Sequence, residues 1–132
     1  MTKPVVLITG ALTGIGRAAA LAFAREGASL IVSGRHDDAG RELTAELRSH
    51  GVEAEFVRAD VRRESDVAAL LERTIKRFGR LDVLFNNAGM GAPPVNFEDL
   101  PLEQWQAVVN TNLTAPFLCT QHAFRIMKDQ TP

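Results

Sequence analysis

Eight residues near the start of the chain, Thr9-Gly10-Ala11-Leu12-Thr13-Gly14-Ile15-Gly16, carry the strongest chemical signal. They follow an apolar run, Pro4 to Thr9, and lead into a helical pattern that begins at Ile15. In that strand–turn–helix setting Gly10 lets the chain turn sharply out of the strand. Gly14 and Gly16 remove side chains where backbone amides approach a phosphate and where the helix packs on the sheet. The helix start then offers free N–H groups and the positive end of its dipole to a pyrophosphate. Glycines also close ordinary turns; the flanking strand and helix are what favour dinucleotide binding here. No Gly-Lys-Ser/Thr follows the glycines, which excludes a Walker phosphate loop.

A dinucleotide site of this kind chooses its cofactor at the end of the second strand, about 20 residues beyond the glycines. There the chain reads Ser33-Gly34-Arg35-His36, with Gly34 where an NAD binder usually carries an acid. Arg35 has the planar fork of donors that clamps a 2′-phosphate. NADP is therefore the preferred expectation, with NAD open; a solvated Arg35 that only stacks on adenine is the competing reading. Arg17 is a second cation that helix geometry can point away. Asp37 and Asp38 lie one turn later, within reach of a ribose but better suited to helix capping.

Other reactive side chains are dispersed. His36, His50 and His122 belong to different elements, with no His-x-x-x-His or Cys-His pair, and no metal site is expected. Cys119 reads as a small buried hydrophobe, and Phe124 as core or interface packing. Arg58, Arg62 and Arg63 surround Asp60, but Glu64 and Asp66 follow at once, which fits a solvated helix start better than a nucleic-acid patch. Asn86 and Asn87, placed after a strand, fit cofactor contact better than turn capping. The chain has no tyrosine.

The elements that must position these groups alternate. Strands are expected over Pro4–Thr9, Ala28–Ser33, Val52–Ala59 and Leu81–Phe85, the first an apolar run buried on both faces. Helices are expected from Ile15 to Glu26 on a face of Ala18, Ala19, Ala22 and Phe23, and from His36-Asp37-Asp38 through Leu43 and Leu47. A third, capped by Glu64-Ser65-Asp66, carries Val67, Leu70, Leu71, Ile75 and Phe78. Gly27, Gly51 and Gly79 mark their ends. Asn86 to Pro101 reads as loop. Leu102 to about Lys128 reads as one long helix kinked at Pro116, with two shorter helices as the alternative. Its expected face holds Trp105, Val108, Val109, Asn112, Phe117, Thr120 and Phe124. Four strand–helix alternations without a linker or repeat imply an α/β fold, a doubly wound parallel sheet with right-handed crossovers.

Composition agrees with a soluble globular domain: 132 residues, 45% hydrophobic and 23% charged. Fifteen basic and sixteen acidic residues leave a net charge of −1, with no general pull toward nucleic acid or anionic lipid. No apolar run is long enough for a membrane span, and the first residues lack a secretory pattern. A single cysteine suits a reducing, cytoplasmic setting.

The form T-G-x-x-x-G-x-G resembles the short-chain dehydrogenase/reductase family, and further landmarks follow in family order. Asp60-Val61 resembles the family's adenine-contacting pair, Asn86-Asn87-Ala88-Gly89 its N-N-A-G motif, and Val109-Asn110-Thr111-Asn112-Leu113 the segment with its catalytic asparagine. The resemblance spans essentially the whole chain and implies a Rossmann-like sheet ordered 3-2-1-4 in the part present. It implies cofactor contacts at Gly10, Thr13, Gly14, Ile15, Gly16, Arg35, Asp60, Val61, Asn87, Ala88, Gly89 and Thr111, and a catalytic role for Asn112. It implies hydride transfer between NAD(P) and an alcohol or carbonyl substrate, commonly in a homodimer or homotetramer. The family's catalytic tyrosine, its lysine four residues on and its serine have no counterpart here; Phe124 precedes Lys128 by four residues but has no proton to give. The chain thus reads as one dinucleotide-binding domain, 1–132, cut before the fifth strand: the cofactor-binding half of an oxidoreductase, inactive by itself. The alternative is a non-catalytic dinucleotide-binding fragment or sensor. A receiver-like signalling domain is excluded by Thr9-Gly10, where that fold needs an acidic pair.

Overall fold

A computed structural model describes residues 3–132. Strands β1 (Val5–Ile8), β2 (Ser29–Gly34), β3 (Ala54–Arg58) and β4 (Val83–Phe85) form one parallel sheet in the expected order β3-β2-β1-β4. Leu7 at the sheet's centre sits in register with Ile31 on one side and Leu84 on the other. Helices α1 (Gly14–Arg25) and α2 (Asp37–Ser49) cover the face carrying Val6, Ile8, Leu30 and Val32. Helices α3 (Glu64–Phe78) and α5 (Ala115–Met127) cover the face carrying Leu7 and Ile31. Cover on both faces is why β1 and the middle of β2, Leu30 to Val32, are unbroken apolar runs. β3, at an edge, alternates: Glu55 meets Arg73 while Phe56 packs toward α2.

Three expectations need correction. The buried stripe of α1 is Gly16, Ala20 and Ala24, not the face of Ala18 and Ala22, which is exposed. Five alanines within one helix leave hydrophobic periodicity with little contrast, and packing on β2 decides the rotation. The acids at the starts of α2 and α3 do not cap them: His36 and Arg63 hold the N-cap positions, without side-chain cap bonds. Asp37, Asp38, Glu64 and Asp66 lie within the first turns, where they complement the helix dipole. Lastly, the long C-terminal helix turns Ala115, Cys119 and Ala123 inward and leaves Trp105, Phe117 and Phe124 more than half exposed. Small side chains let α5 approach α3 closely, so the aromatic residues face outward.

That helix follows one path through α4 (Leu102–Val109), a π-helical turn (Asn110–Thr114) and α5, preceded by a short 3₁₀ turn at Phe97–Asp99. The Ala115 N–H donates to the carbonyl of Asn110, five residues back. The wider turn absorbs Pro116, which has no N–H for the carbonyl four residues earlier and whose ring would crowd a regular turn. The single irregular helix therefore holds over two separate ones.

Candidate functional site

The carboxyl ends of the strands and the loops that follow them enclose a cavity of about 460 Å³. It lies on the edge of the sheet where open α/β folds bind ligands, beside the point at which the strand order reverses between β1 and β4. Gly10, Thr13, Gly14 and Ile15 line it from the glycine turn, Arg35 from the end of β2 and Asp60 and Val61 from the end of β3. Asn87, Ala88 and Gly89 line it beyond β4, and Thr111 from the π turn. Eleven of the thirteen residues singled out in the sequence thus share one cavity wall; Gly16 and Asn112 do not line it, and Asn112 borders a second groove with Leu113 and Phe117.

Gly16 lies inside the turn. A Cβ there would overlap the Gly10 carbonyl and the Asn87 side-chain amide. Gly10 adopts φ +60°, and a Cβ on it would come within 2.7 Å of Ala88 Cα. These close approaches are held by a polar lock. Thr9 Oγ1 accepts from the amides of Asn87 (3.2 Å) and Ala88 (3.1 Å), and Asn87 Nδ2 donates to the Gly10 carbonyl at 2.9 Å. On the other side the Ala11 amide donates to the Ser33 carbonyl at 3.0 Å. The turn is thereby fixed to β2 and to the end of β4 together. The first turn of α1 has no acidic residue and Thr13 makes no cap bond, so its amides stay available to an anion.

The β3 side is cationic and anionic at once. Arg62 grips the Asp60 carboxylate with Nε (2.9 Å) and Nη2 (2.7 Å), and its amide donates to Oδ1 at 3.0 Å. Hydrogen bonding from Arg62 holds the Asp60 carboxyl down at about 2, with burial acting in the opposite sense and the charge of Arg35 adding a little. Arg62, expected as part of a solvated helix start, is instead a lining residue. Of the charges near the end of β2, Asp37 pairs with Arg58 (3.3 Å), Asp38 with Arg41 (2.7 Å), and Arg17 with Glu46 on α2. Arg35 is exposed on the cavity rim and joins no ion pair among the described residues.

The cavity fits a dinucleotide on two observations. Side chains are excluded from the turn where a phosphate backbone would lie, and the Ser33 hydroxyl, buried on the cavity floor, has no hydrogen-bond partner. A buried unpaired hydroxyl costs about 1–3 kcal/mol, which a bound polar ligand recovers.

A family model described as short chain dehydrogenase matches residues 4–132. The chain belongs to that family. It is 42% identical over 124 residues to momilactone A synthase of Oryza sativa subsp. japonica, covering 93% of this chain and 44% of the relative. Among solved structures, an actinorhodin polyketide ketoreductase with NADPH superposes with a TM-score of 0.88 at 37% identity, covering 93% of this chain and 47% of that one. An NAD+-bound xylitol dehydrogenase gives a TM-score of 0.90 at 33% identity, covering 94% and 48%. The chain spans about half the length of the curated relatives it matches.

For this short-chain dehydrogenase chain the asparagine pair divides its work. Asn87 lines the cavity, whereas Asn86 points away and donates to Thr120 Oγ1 on α5 at 3.0 Å. Asn112 engages Met90 from both sides: its Oδ1 accepts from the Met90 amide at 2.8 Å and its Nδ2 donates to the Met90 carbonyl at 2.7 Å. The amide therefore fastens the loop after β4 to the π turn and brings Thr111 to the wall. Replacing Asn112 by Ala is expected to cost about 1 kcal/mol and to speed hydrogen exchange at the Met90 amide while leaving the β1 amides protected. Asn112→Asp, which keeps the acceptor, should restore part of that protection.

Sequence reasoning missed Leu12, Ser33, His36, Ala59, Arg62 and Met90 as lining residues. Each adjoins a motif residue, so the end of every strand rather than the motif letters was the usable signal. Cys119 is buried as expected, and burial pushes its thiol up to about 11, which removes it as a nucleophile.

The Asp60–Arg62 pair makes a pH prediction. The Asp60 carboxyl is held at about 2 in the folded chain against an ordinary 3.8, so its stabilisation is complete above the ordinary value. It is lost as pH falls from about 4 to about 2. Asp60→Asn should therefore be less stable than the parent by about 0.5–1 kcal/mol, discounted for solvent at the pair. Urea midpoints should show a constant gap at neutral pH that closes over that acid window.

Proposed function

We propose that this chain is the cofactor-binding half of an oxidoreductase that moves hydride between a nicotinamide dinucleotide and an alcohol or carbonyl compound. NADP(H) is its preferred cofactor and NAD(H) the weaker one. The observation that carries this is the glycine cradle, tied to both neighbouring strands and opening onto the rim where Arg35 stands without an ionic partner.

A bound nicotinamide supplies the hydride donor or acceptor. The chain's own part is to hold the dinucleotide. The α1 amides and the side-chain-free turn take the pyrophosphate, Ser33 and the β3 end bound the adenosine, and Arg35 takes the 2′-phosphate. Asn87, Ala88, Gly89 and Thr111 form the wall leading toward the nicotinamide, and Asn112 fixes that wall. With no tyrosine in the sequence, these residues contribute no phenolic proton donor, and the 132-residue chain by itself is expected to leave NADPH unoxidised with carbonyl substrates. Asn112 is the one member of the family's proton relay that the sequence matches. No helix among the described residues is long and apolar enough to cross a membrane. We assign a cytoplasmic setting, a small-molecule substrate, and a homodimer or homotetramer for the complete protein.

Calorimetric titration of the chain with NADPH and NADH tests this. NADPH should bind at least about tenfold tighter, the worth of one charge-assisted clamp at about 1.5–3 kcal/mol. Equal affinities would overturn the NADP assignment, and no binding of either would overturn the cofactor role.

A further inference from the structure

Gly34 closes β2 at the place where an acid would clamp the ribose, and its own backbone does not require glycine. It is absent from the residues with positive φ, so its conformation is open to any L-residue. What forbids a side chain is Leu12. A Cβ on Gly34 would lie 2.5 Å from Leu12 Cδ1 and 2.6 Å from Leu12 Cγ, closer than non-bonded carbons approach.

The backbone is held on both sides, so only a turn of the Leu12 side chain could make room. The Ala11 amide bonds to the Ser33 carbonyl at 3.0 Å, which pins the backbone just before Leu12 to the backbone just before Gly34. The Gly34 carbonyl accepts from the Ala59 amide at 3.0 Å, which holds that residue from the β3 side. Leu12 is itself half-buried, packed on the core face of Val6, Ile8, Leu30 and Val32, and both residues line the cavity.

Resting on the cofactor role proposed above, we propose that Leu12 is a specificity-determining residue. Its side chain fills the room over Gly34 that a ribose-clamping carboxylate needs, and so leaves the 2′ position to Arg35. Choice of cofactor is then written in a pair of positions, one on the glycine turn and one on β2. A single Gly34→Asp substitution places the carboxylate's stem inside Leu12. It disturbs the turn without delivering an oxygen to the ribose, and its charge repels a 2′-phosphate. Shortening Leu12 at the same time opens the path.

The test compares the parent chain with L12A, G34D and L12A/G34D, using dissociation constants for NADPH and NADH and the thermal midpoint of each protein. G34D is expected to unfold at a lower temperature, to lose NADPH at least tenfold, and to gain no NADH affinity. L12A supplies room without a carboxylate, and its NADH affinity should not rise. L12A/G34D should recover part of the thermal midpoint relative to G34D and bind NADH at least tenfold tighter than the parent. That would be a non-additive coupling of two adjacent sites. G34D alone matching the double variant for NADH, or a folded double variant no better than G34D, would overturn the proposal. Should G34D fail to fold, G34S with and without L12A tests through the thermal midpoint whether Leu12 excludes a Cβ there, and a midpoint that G34S leaves unchanged would overturn the proposal. A parent chain that binds neither dinucleotide would sink the cofactor role instead. The coupling of positions 12 and 34 in the thermal midpoint would still report separately whether Leu12 excludes a side chain there.

Discussion

Gly16→Ala should abolish dinucleotide binding, and one methyl group is enough. Gly16 is buried at the start of α1, and its missing side chain is occupied by the Gly10 carbonyl and the Asn87 amide. Those two groups are hydrogen-bonded to each other at 2.9 Å, so an added Cβ wedges into the bond that closes the turn against β4. The carbonyl is backbone and cannot rotate away; either α1 tilts off the turn or the turn lifts off Ala88. Both movements displace the amides meant for the phosphates. Overpacking of this kind costs about 1–3 kcal/mol in stability, and an affinity loss of at least about hundredfold corresponds to roughly 2.8 kcal/mol. Gly14→Ala is the control. Its φ of +55° carries a conformational penalty, but nothing lies within 4 Å of its added Cβ. It should lose about 1–2 kcal/mol in stability and much less affinity than Gly16→Ala. Urea unfolding and calorimetry on both variants separate the two causes; a Gly16→Ala protein that still binds within tenfold of the parent would rule out the cradle as the anchoring element.

The contrast between those glycines also marks what a sequence can and cannot reveal. The motif announces that Gly10, Gly14 and Gly16 matter, because small residues at fixed spacing between a strand and a helix have few other uses. It does not reveal that Gly14 faces open space while Gly16 faces Asn87, which lies 71 positions away and arrives only through the β1–β4 pairing. The doubly wound parallel sheet was legible because four apolar runs alternate with helical patterns and a parallel crossover has one hand; its order came only from the family resemblance. The rotation of α1 was not, since alanine on every face carries no contrast. Nor was the outward turn of Trp105, Phe117 and Phe124, because a helix buries whichever face lets it come closest, and here that face is Ala115, Cys119 and Ala123. Arg62 escaped notice for a similar reason. Its role rests on a two-residue return to Asp60, which in the linear sequence looks like ordinary solvated charge.

Arg35 is where charge arithmetic makes the sharpest distinction between cofactors. Four cations nearby are engaged: Arg17 by Glu46, Arg41 by Asp38, Arg58 by Asp37 and Arg62 by Asp60. The two aspartates that could have repelled a 2′-phosphate are thereby paired, while Arg35 on the rim keeps its guanidinium for a ligand. A charge-assisted contact at such a site is worth about 1.5–3 kcal/mol, which converts to roughly a 10- to 150-fold change in affinity. Arg35→Ala should therefore weaken NADPH by that factor and leave NADH within about twofold, since NADH has no 2′-phosphate to lose. Salt supplies a second readout. The parent's preference for NADPH should shrink as ionic strength rises and the exposed pair is screened over about 10 Å at 0.1 M, whereas the variant should show no such trend. Equal losses for the two dinucleotides would instead mean that Arg35 stacks on the adenine they share. Any preference for NADP would then have to come from another group on the same rim.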